Sequence, residues 1–300
     1  MLTKLEKKLG KGRVRENADL WLHTTLRTKV HAKYFFVAET REDLISAIKA
    51  THELSIPFYI LGGGSNVVFA HDFEGLVVKN QYQKTKVLKE DNDKAEILFS
   101  SGYSMSRVVN ETISAGYEGF EHHLGLPGTL GGAIYMNSKW TKPEVYCGDS
   151  LIYANIADKS GDERKVDKDY FQFAYDHSKL QQTGETVLEA VFELKKNDPE
   201  ILKARAKKAL DYRKATQPFG VSSSGCFFRN IDGKSAGEMI DRAGLKGAKV
   251  GNFIVSDKHA NFILNRGDGD PRDLVKLLDM IKDRVKEKFG VELEREVILI

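Results

Sequence analysis

The segment Leu61-Gly62-Gly63-Gly64-Ser65-Asn66-Val67-Val68-Phe69 restricts the folds open to this chain more than any other. It follows a short apolar strand, Phe58 to Leu61, and so stands where a nucleotide-binding α/β protein would carry its glycine fingerprint. The fingerprint fails. Val67 occupies the third glycine position of G-x-G-x-x-G, and the residues that follow are β-prone and do not open a helix. A doubly wound dinucleotide fold is therefore disfavoured, and a helix N-terminus is not the anion binder here. Three glycines can still adopt positive φ and turn successive backbone N–H groups inward as an anion nest, with Ser65 and Asn66 adding donors. The competing reading is a plain tight turn, since glycine dominates turns anyway.

A second stretch, Gly125-Leu126-Pro127-Gly128-Thr129-Leu130-Gly131-Gly132-Ala133, lies roughly sixty residues further on. Two such loops could clamp a pyrophosphate from two sides. As a pair they suit a long cofactor such as FAD better than a single phosphate.

Around these loops the pattern is mixed. An extended Tyr34 to Ala38 precedes a helical Arg41 to Leu54, in which Leu44, Ile45 and Ile48 share a face. Short β-rich segments run from Lys86 to Lys196, interrupted by one helix from about Met105 to Ala115. A basic helix spans about Pro199 to Arg213, Val250 to Val255 reads as a strand, and a helix from Pro271 carries Leu274, Leu277, Leu278, Ile281 and Val285 on one stripe. A last strand is expected over Val291 to Ile300. Strands and helices mixed within segments argue for an α+β fold.

The length of 300 residues suggests about two domains on a prior of roughly 150 residues each, with one or three still open. A net charge of +3 is too small to imply nucleic acid. The cations Lys203, Arg205, Lys207, Lys208, Arg213 and Lys214 read either as a solvated helix face or as an electropositive rim for an anionic nucleotide. No run of eighteen apolar residues predicts a membrane span, and the first residues lack the apolar core of a signal peptide. Cys147 and Cys226 form neither a metal spacing nor a disulfide framework, so a reducing cytoplasm is expected. None of the eight histidines has a ligand spacing, and no metal is expected.

The segment Val221-Ser222-Ser223-Ser224-Gly225-Cys226-Phe227-Phe228-Arg229-Asn230 sets a lone thiol after a flexible glycine and ahead of two aromatics and a cation. Cysteine is a more willing acid than a hydroxyl, with a reference pKa of about 8.5. On composition alone it reads more readily as a small buried hydrophobe than as an acid. Near the C-terminus Glu292, Glu294 and Glu296 alternate onto one face of the expected strand.

Taken together, these motifs resemble the flavin-dependent UDP-N-acetylenolpyruvoylglucosamine reductases, the MurB family. The first loop is similar to that family's L-G-x-G-S-N and the second to its G-I-P-G-T-[VL]-G-G-A. Gln217-Pro218 followed by Ser222 to Asn230 matches its Q-P…P-S-x-G-S-x-F-[KR]-N in spacing, and Lys286 to Val297 resembles the family's ending. The likeness runs from about Thr24 to the end.

The resemblance implies a two-part FAD-binding module of the para-cresol methylhydroxylase type, residues 1–85 and 86–198. A C-terminal α+β substrate-binding domain, 199–300, would follow, its last strand returning to the active site. It implies that NADPH reduces FAD and that the flavin N5 hydride then passes to an enolpyruvyl UDP-sugar, whose carbanion is protonated to give UDP-N-acetylmuramate. Gly62, Gly63, Gly64, Ser65, Asn66, Gly125, Pro127, Gly128, Thr129 and Gly132 would hold the cofactor. Arg213, Arg229, Asn230, Tyr175 and Lys179 would hold substrate. Cys226, usually serine in the family, would donate the proton, and Glu296 would be the carboxylate close to the enolpyruvyl group. A monomer is expected, with no nucleic-acid or membrane partner.

The chain departs from the pattern at three places. Asp176 stands where Y-R-x-S carries arginine, so either a cation comes from Lys179, His177 or Arg229, or activity is altered. The glycines of T-T-F-x-x-G-G are absent from Thr24 to Val30, and Thr216 replaces a lysine before Gln217-Pro218. Two alternatives stay open: an FAD-dependent oxidase or dehydrogenase of the same fold acting on another substrate, and a non-catalytic flavin-binding paralogue.

Overall fold

The computed structural model describes residues 1–300. It divides into two compact units: residues 1–16, 34–63 and 75–213 form the first, and 17–33, 64–74 and 214–300 the second. No helix is long and apolar enough to cross a membrane.

The first unit holds two hydrophobic cores. Helices Leu2–Leu9 and Arg41–Leu54 cover one face of a four-stranded sheet ordered Val14–Asp19, His31–Ala38, Phe73–Asn80, Phe58–Leu61, and bury Leu5, Phe36, Leu44, Ile48, Leu76 and Val78. The Arg41–Leu54 helix starts where expected because Thr40 and Asp43 form a capping box, and it stops at Ser55 in the left-handed region. The other core lies against an antiparallel sheet ordered Glu163–Asp167, Leu151–Ala157, Thr186–Lys196, Lys94–Ser100, Thr85–Glu90. Thr186–Lys196 is buried on both faces, giving Leu188 to the first core and Val187, Ala190, Phe192 and Leu194 to the second. Thr85–Glu90 is exposed along its whole length and carries Lys86, Lys89 and Glu90, charges that suit a sheet edge.

In the second unit, helix Pro271–Phe289 lays its predicted stripe over a sheet of Lys249–Val250, Phe253–Val255 and Ile263–Asn265, joined by helix Ala236–Arg242. Asp270 caps its start, Pro271 opens it and Gly290 ends it at φ 66°.

Three expectations need correction. Val250 to Val255 is a hairpin turning at Gly251 (φ +54°) and Asn252. Met105–Ser114 is accompanied by two further helices, Leu130–Met136, which starts within the second glycine stretch, and Leu180–Thr183. The last strand is confined to Ile298–Leu299, which pairs in parallel with Val67–Val68, so Glu292, Glu294 and Glu296 do not share a regular strand face.

Candidate active site

In the first unit the two glycine loops touch. Strand Phe58–Leu61 runs parallel to Phe73–Asn80 and delivers Gly62 and Gly63 against the second loop. A Cβ on Gly63 would lie 2.4 Å from the Cα of Gly128, and one on Gly62 would lie 2.4 Å from Thr129 Oγ1. Of the three glycines only Gly64 has positive φ, at +67°. Glycine is thus required at 62 and 63 by close approach, and a left-handed backbone accounts for 64 alone.

In the second loop Gly125 and Gly128 have φ of +82° and +111°. Thr129 caps Leu130–Met136, accepting from Gly132 N–H at 3.5 Å, and Gly131 N–H donates to Ser101 O at 2.8 Å. Pro127 is exposed. The amides of Gly62, Gly63, Gly128 and Thr129 donate to no backbone carbonyl. Beside them Lys79 Nζ, opposite Leu61 in the ladder, donates to Gly62 O at 2.5 Å, and burial lowers its pKa. Unspent amides beside an ammonium form a donor set fitted to a pyrophosphate, so the residues present fit FAD.

Elsewhere in this unit Ala174 and His177 exchange backbone hydrogen bonds across a tight turn at Tyr175 and Asp176. Asp176 is buried, with φ +49°, a conformation aspartate tolerates better than most residues. Ser178 Oγ donates to Tyr135 O at 2.7 Å, and Gln181 Nε2 donates to Tyr135 O and Asp176 O, each at 3.0 Å. Tyr175 is 39% exposed beneath the Lys139 ammonium. Lys179 Nζ lies 4.4 Å from the centre of the Tyr170 ring. Arg213 is buried, its guanidinium 4.6 Å over Trp140. A cleft of about 930 Å³ opens nearby, lined by Trp140, Lys142, Lys208 and Tyr212. Its third cation, Arg205, is held by Glu118 and Glu121 at 2.8 and 3.2 Å.

The second unit brings thiol and carboxylate together. Phe227 N–H donates to Asn261 O, Cys226 bridges Phe262, and Asn265 N–H donates to Ser222 O, so 222–227 runs antiparallel to 261–265. On its other side Arg229 N–H donates to Glu294 O and Glu296 N–H to Phe227 O, both at 2.9 Å. Glu296 therefore sits beside the residue that follows Cys226. Both Cys226 and Glu296 are half-buried. Asn66 joins them: its Nδ2 donates to Glu296 O at 3.3 Å, and Ile298 N–H donates to Asn66 O at 3.0 Å. Ser65 precedes Asn66 in the same loop and is half-exposed. Gly225, at φ +78°, faces open space, so the backbone before the thiol is accessible. Asn230 spends its amide oxygen on Ala236 N–H at 3.0 Å, leaving its NH₂ for a ligand, while Arg229 is half-buried.

Sequence reasoning missed Lys79, which closes an otherwise apolar run; its charge was the available signal.

An FAD binding domain model matches residues 32–167. Over 97% of this chain and 60% of that chain, the fold is shared with an FAD-containing glucooligosaccharide oxidase from Acremonium strictum, at TM-score 0.51 and 13% identity. The class is an FAD-binding fold.

The model of the UDP-N-acetylenolpyruvoylglucosamine reductase C-terminal domain matches residues 217–300. The chain is 36% identical over 288 residues to the UDP-N-acetylenolpyruvoylglucosamine reductase of Chlamydia trachomatis serovar L2, covering 96% of each, and 32% identical over 300 residues to that of Clostridium tetani, covering 100% of this chain and 96% of the other. The crystal structure of the Thermus caldophilus reductase (MurB) superposes with TM-score 0.79 at 30% identity, over 96% of this chain and 98% of that one. The chain belongs to the UDP-N-acetylenolpyruvoylglucosamine reductase (MurB) family of flavoenzymes.

Proposed function

We propose that this chain uses NADPH to reduce UDP-N-acetylglucosamine enolpyruvate to UDP-N-acetylmuramate in the cytoplasm, for peptidoglycan synthesis. The observation that carries the reading is the ladder that sets Glu296 beside Phe227 and the adjacent Cys226. FAD, when bound, supplies the relay of a hydride from NADPH to the enolpyruvyl double bond.

The chain's own residues do the rest. Gly62, Gly63, Gly64, Ser65 and Asn66, with Gly125, Pro127, Gly128, Thr129 and Gly132, hold the cofactor's phosphates through backbone amides and short side chains, and Lys79 adds positive charge. Arg213, Arg229, Asn230, Tyr175 and Lys179 hold the UDP-sugar. Negative charge that builds on the substrate beside its carboxylate during hydride addition needs a proton donor placed in advance. Cys226 Sγ supplies that proton, and Glu296 is the carboxylate that orients the site. Functionally the chain divides into flavin-binding parts 1–85 and 86–198 and a substrate-binding part 199–300.

The test is anaerobic. Stoichiometric NADPH bleaches the flavin of the purified holoprotein, and the enolpyruvyl UDP-sugar then restores the oxidised spectrum with formation of UDP-N-acetylmuramate. Bleaching without reoxidation rejects the proposal. It would favour an oxidase or dehydrogenase of the same fold, which the acidic Asp176 at the family's arginine position leaves open, or a non-catalytic paralogue.

A further inference from the structure

The second unit contains a hollow of about 350 Å³ to which the reaction above gives no role. Trp21, Arg27, Ser222, Asn265 and Arg266 line it, and no carboxylate does. Neither guanidinium is in an ion pair; Arg27 instead lies 5.0 Å over the Trp21 ring. The nearest acids by sequence are already engaged. Asp268 pairs with Lys29 at 2.7 Å, and Asp19 Oδ1 accepts from Trp21 N–H at 2.8 Å. The Trp21 indole Nε1–H is buried with no acceptor in the protein.

The hollow is built. Arg27 is left-handed at φ +58°, a strained backbone for a long side chain that persists only where its surroundings hold it. What holds it is buried Asn265, whose Nδ2 donates to Leu26 O at 3.0 Å and Arg27 O at 2.9 Å. Asn265 N–H also donates to Ser222 O at 2.9 Å. Buried Asn265 thus ties Arg27 to the end of the strand Ile263–Asn265, just before Arg266, and to the loop that leads to Cys226. Ser222 is four residues from Cys226, at most about 13 Å along the chain at ~3.3 Å per residue.

We propose that this hollow takes the 2′-phosphate of NADPH and so selects NADPH over NADH; the inference rests on the function proposed above. A phosphate monoester carries up to two charges and several acceptor oxygens, which match two guanidinium forks. A dinucleotide whose nicotinamide reacts beside Cys226 has the length to set its adenosine ribose here. The diphosphate of the UDP-sugar shares this chemistry, and the test separates the two.

The variant is Arg27→Gln with Arg266→Gln, measured as FAD holoenzyme with NADPH, NADH and the enolpyruvyl UDP-sugar varied in turn. The expected result is a KM for NADPH raised about tenfold or more, with KM for NADH and for the sugar unchanged. An unchanged KM for NADPH, an equal rise for NADH, or a rise for the sugar in place of NADPH would each overturn the proposal. Calorimetry gives a readout independent of turnover: adenosine 2′,5′-bisphosphate should bind the wild-type holoenzyme more tightly than 5′-AMP, and the variant should lose that difference. A wild-type protein whose flavin NADPH does not reduce would defeat the proposed function, while the calorimetric difference would still decide whether the hollow binds the 2′-phosphate. Retention of the flavin spectrum shows that the variant has folded, and Arg27→Lys with Arg266→Lys should restore part of the selectivity.

Discussion

Gly63 and Gly128 show how much a single hydrogen in place of a side chain decides. Their backbones meet so closely that a Cβ on Gly63 falls 2.4 Å from a backbone carbon that has no soft way to yield. Gly63→Ala should therefore cost about 1–3 kcal/mol as an overpacked contact and lower the flavin content of the purified protein, both measurable by denaturant unfolding and visible absorbance. A variant with full flavin and wild-type stability would mean that the loops part without penalty. Asp176 makes a related point. The charge reversal at this position was legible in the sequence, whereas the buried left-handed turn that aspartate suits was not, because it depends on the pairing of Ala174 with His177.

At the scale of elements, the turn Glu121–His123 carries a buried imidazole. Burial pushes the His123 pKa down to about 4, only partly opposed by a hydrogen bond to the Ser138 carbonyl. Below an unfolded pKa of about 6.5 the unfolded chain takes a proton that the folded chain refuses until about pH 4. The stabilisation is thus complete above about pH 6.5 and declines as pH falls through that window, by an amount on the order of 3 kcal/mol at 1.36 kcal/mol per pKa unit. Unfolding free energies between pH 7 and 4 should slope accordingly, and His123→Phe should remove much of that slope; an identical slope in the variant would assign it to other groups.

Elements with local signals were legible. Thr40 and Asp43 mark one helix, and Asp270, Pro271 and Gly290 mark another. Leu130–Met136 was hidden in a glycine-dense sequence because its start is set by Thr129 and by Gly131 pairing with Ser101. The tail reads as a longer strand than it forms because Glu294 to Glu296 pair with 227–229, contacts that no local pattern encodes.

At the scale of the whole molecule, the glycine loops, Cys226 and Glu296 were readable as motifs, since each keeps its chemistry within a few neighbouring residues. The hollow of Trp21, Arg27 and Arg266 was not, because it joins three segments far apart in the chain through one buried asparagine. A ligand that binds the folded chain stabilises it by mass action, about 2.7 kcal/mol at a hundredfold excess over Kd. Protein stripped of flavin should therefore melt several degrees lower than the holoprotein and regain its Tm on addition of FAD; equal melting temperatures would mean that these loops do not hold the cofactor.

If Cys226 delivers the proton that completes reduction, the pair of anaerobic half-reactions in Cys226→Ala, with Cys226→Ser alongside, will show it. NADPH should bleach the flavin of Cys226→Ala at the wild-type rate, while reoxidation by the enolpyruvyl UDP-sugar should slow about 10²- to 10⁴-fold and remain active in Cys226→Ser. Reoxidation of Cys226→Ala at the wild-type rate would contradict the assignment.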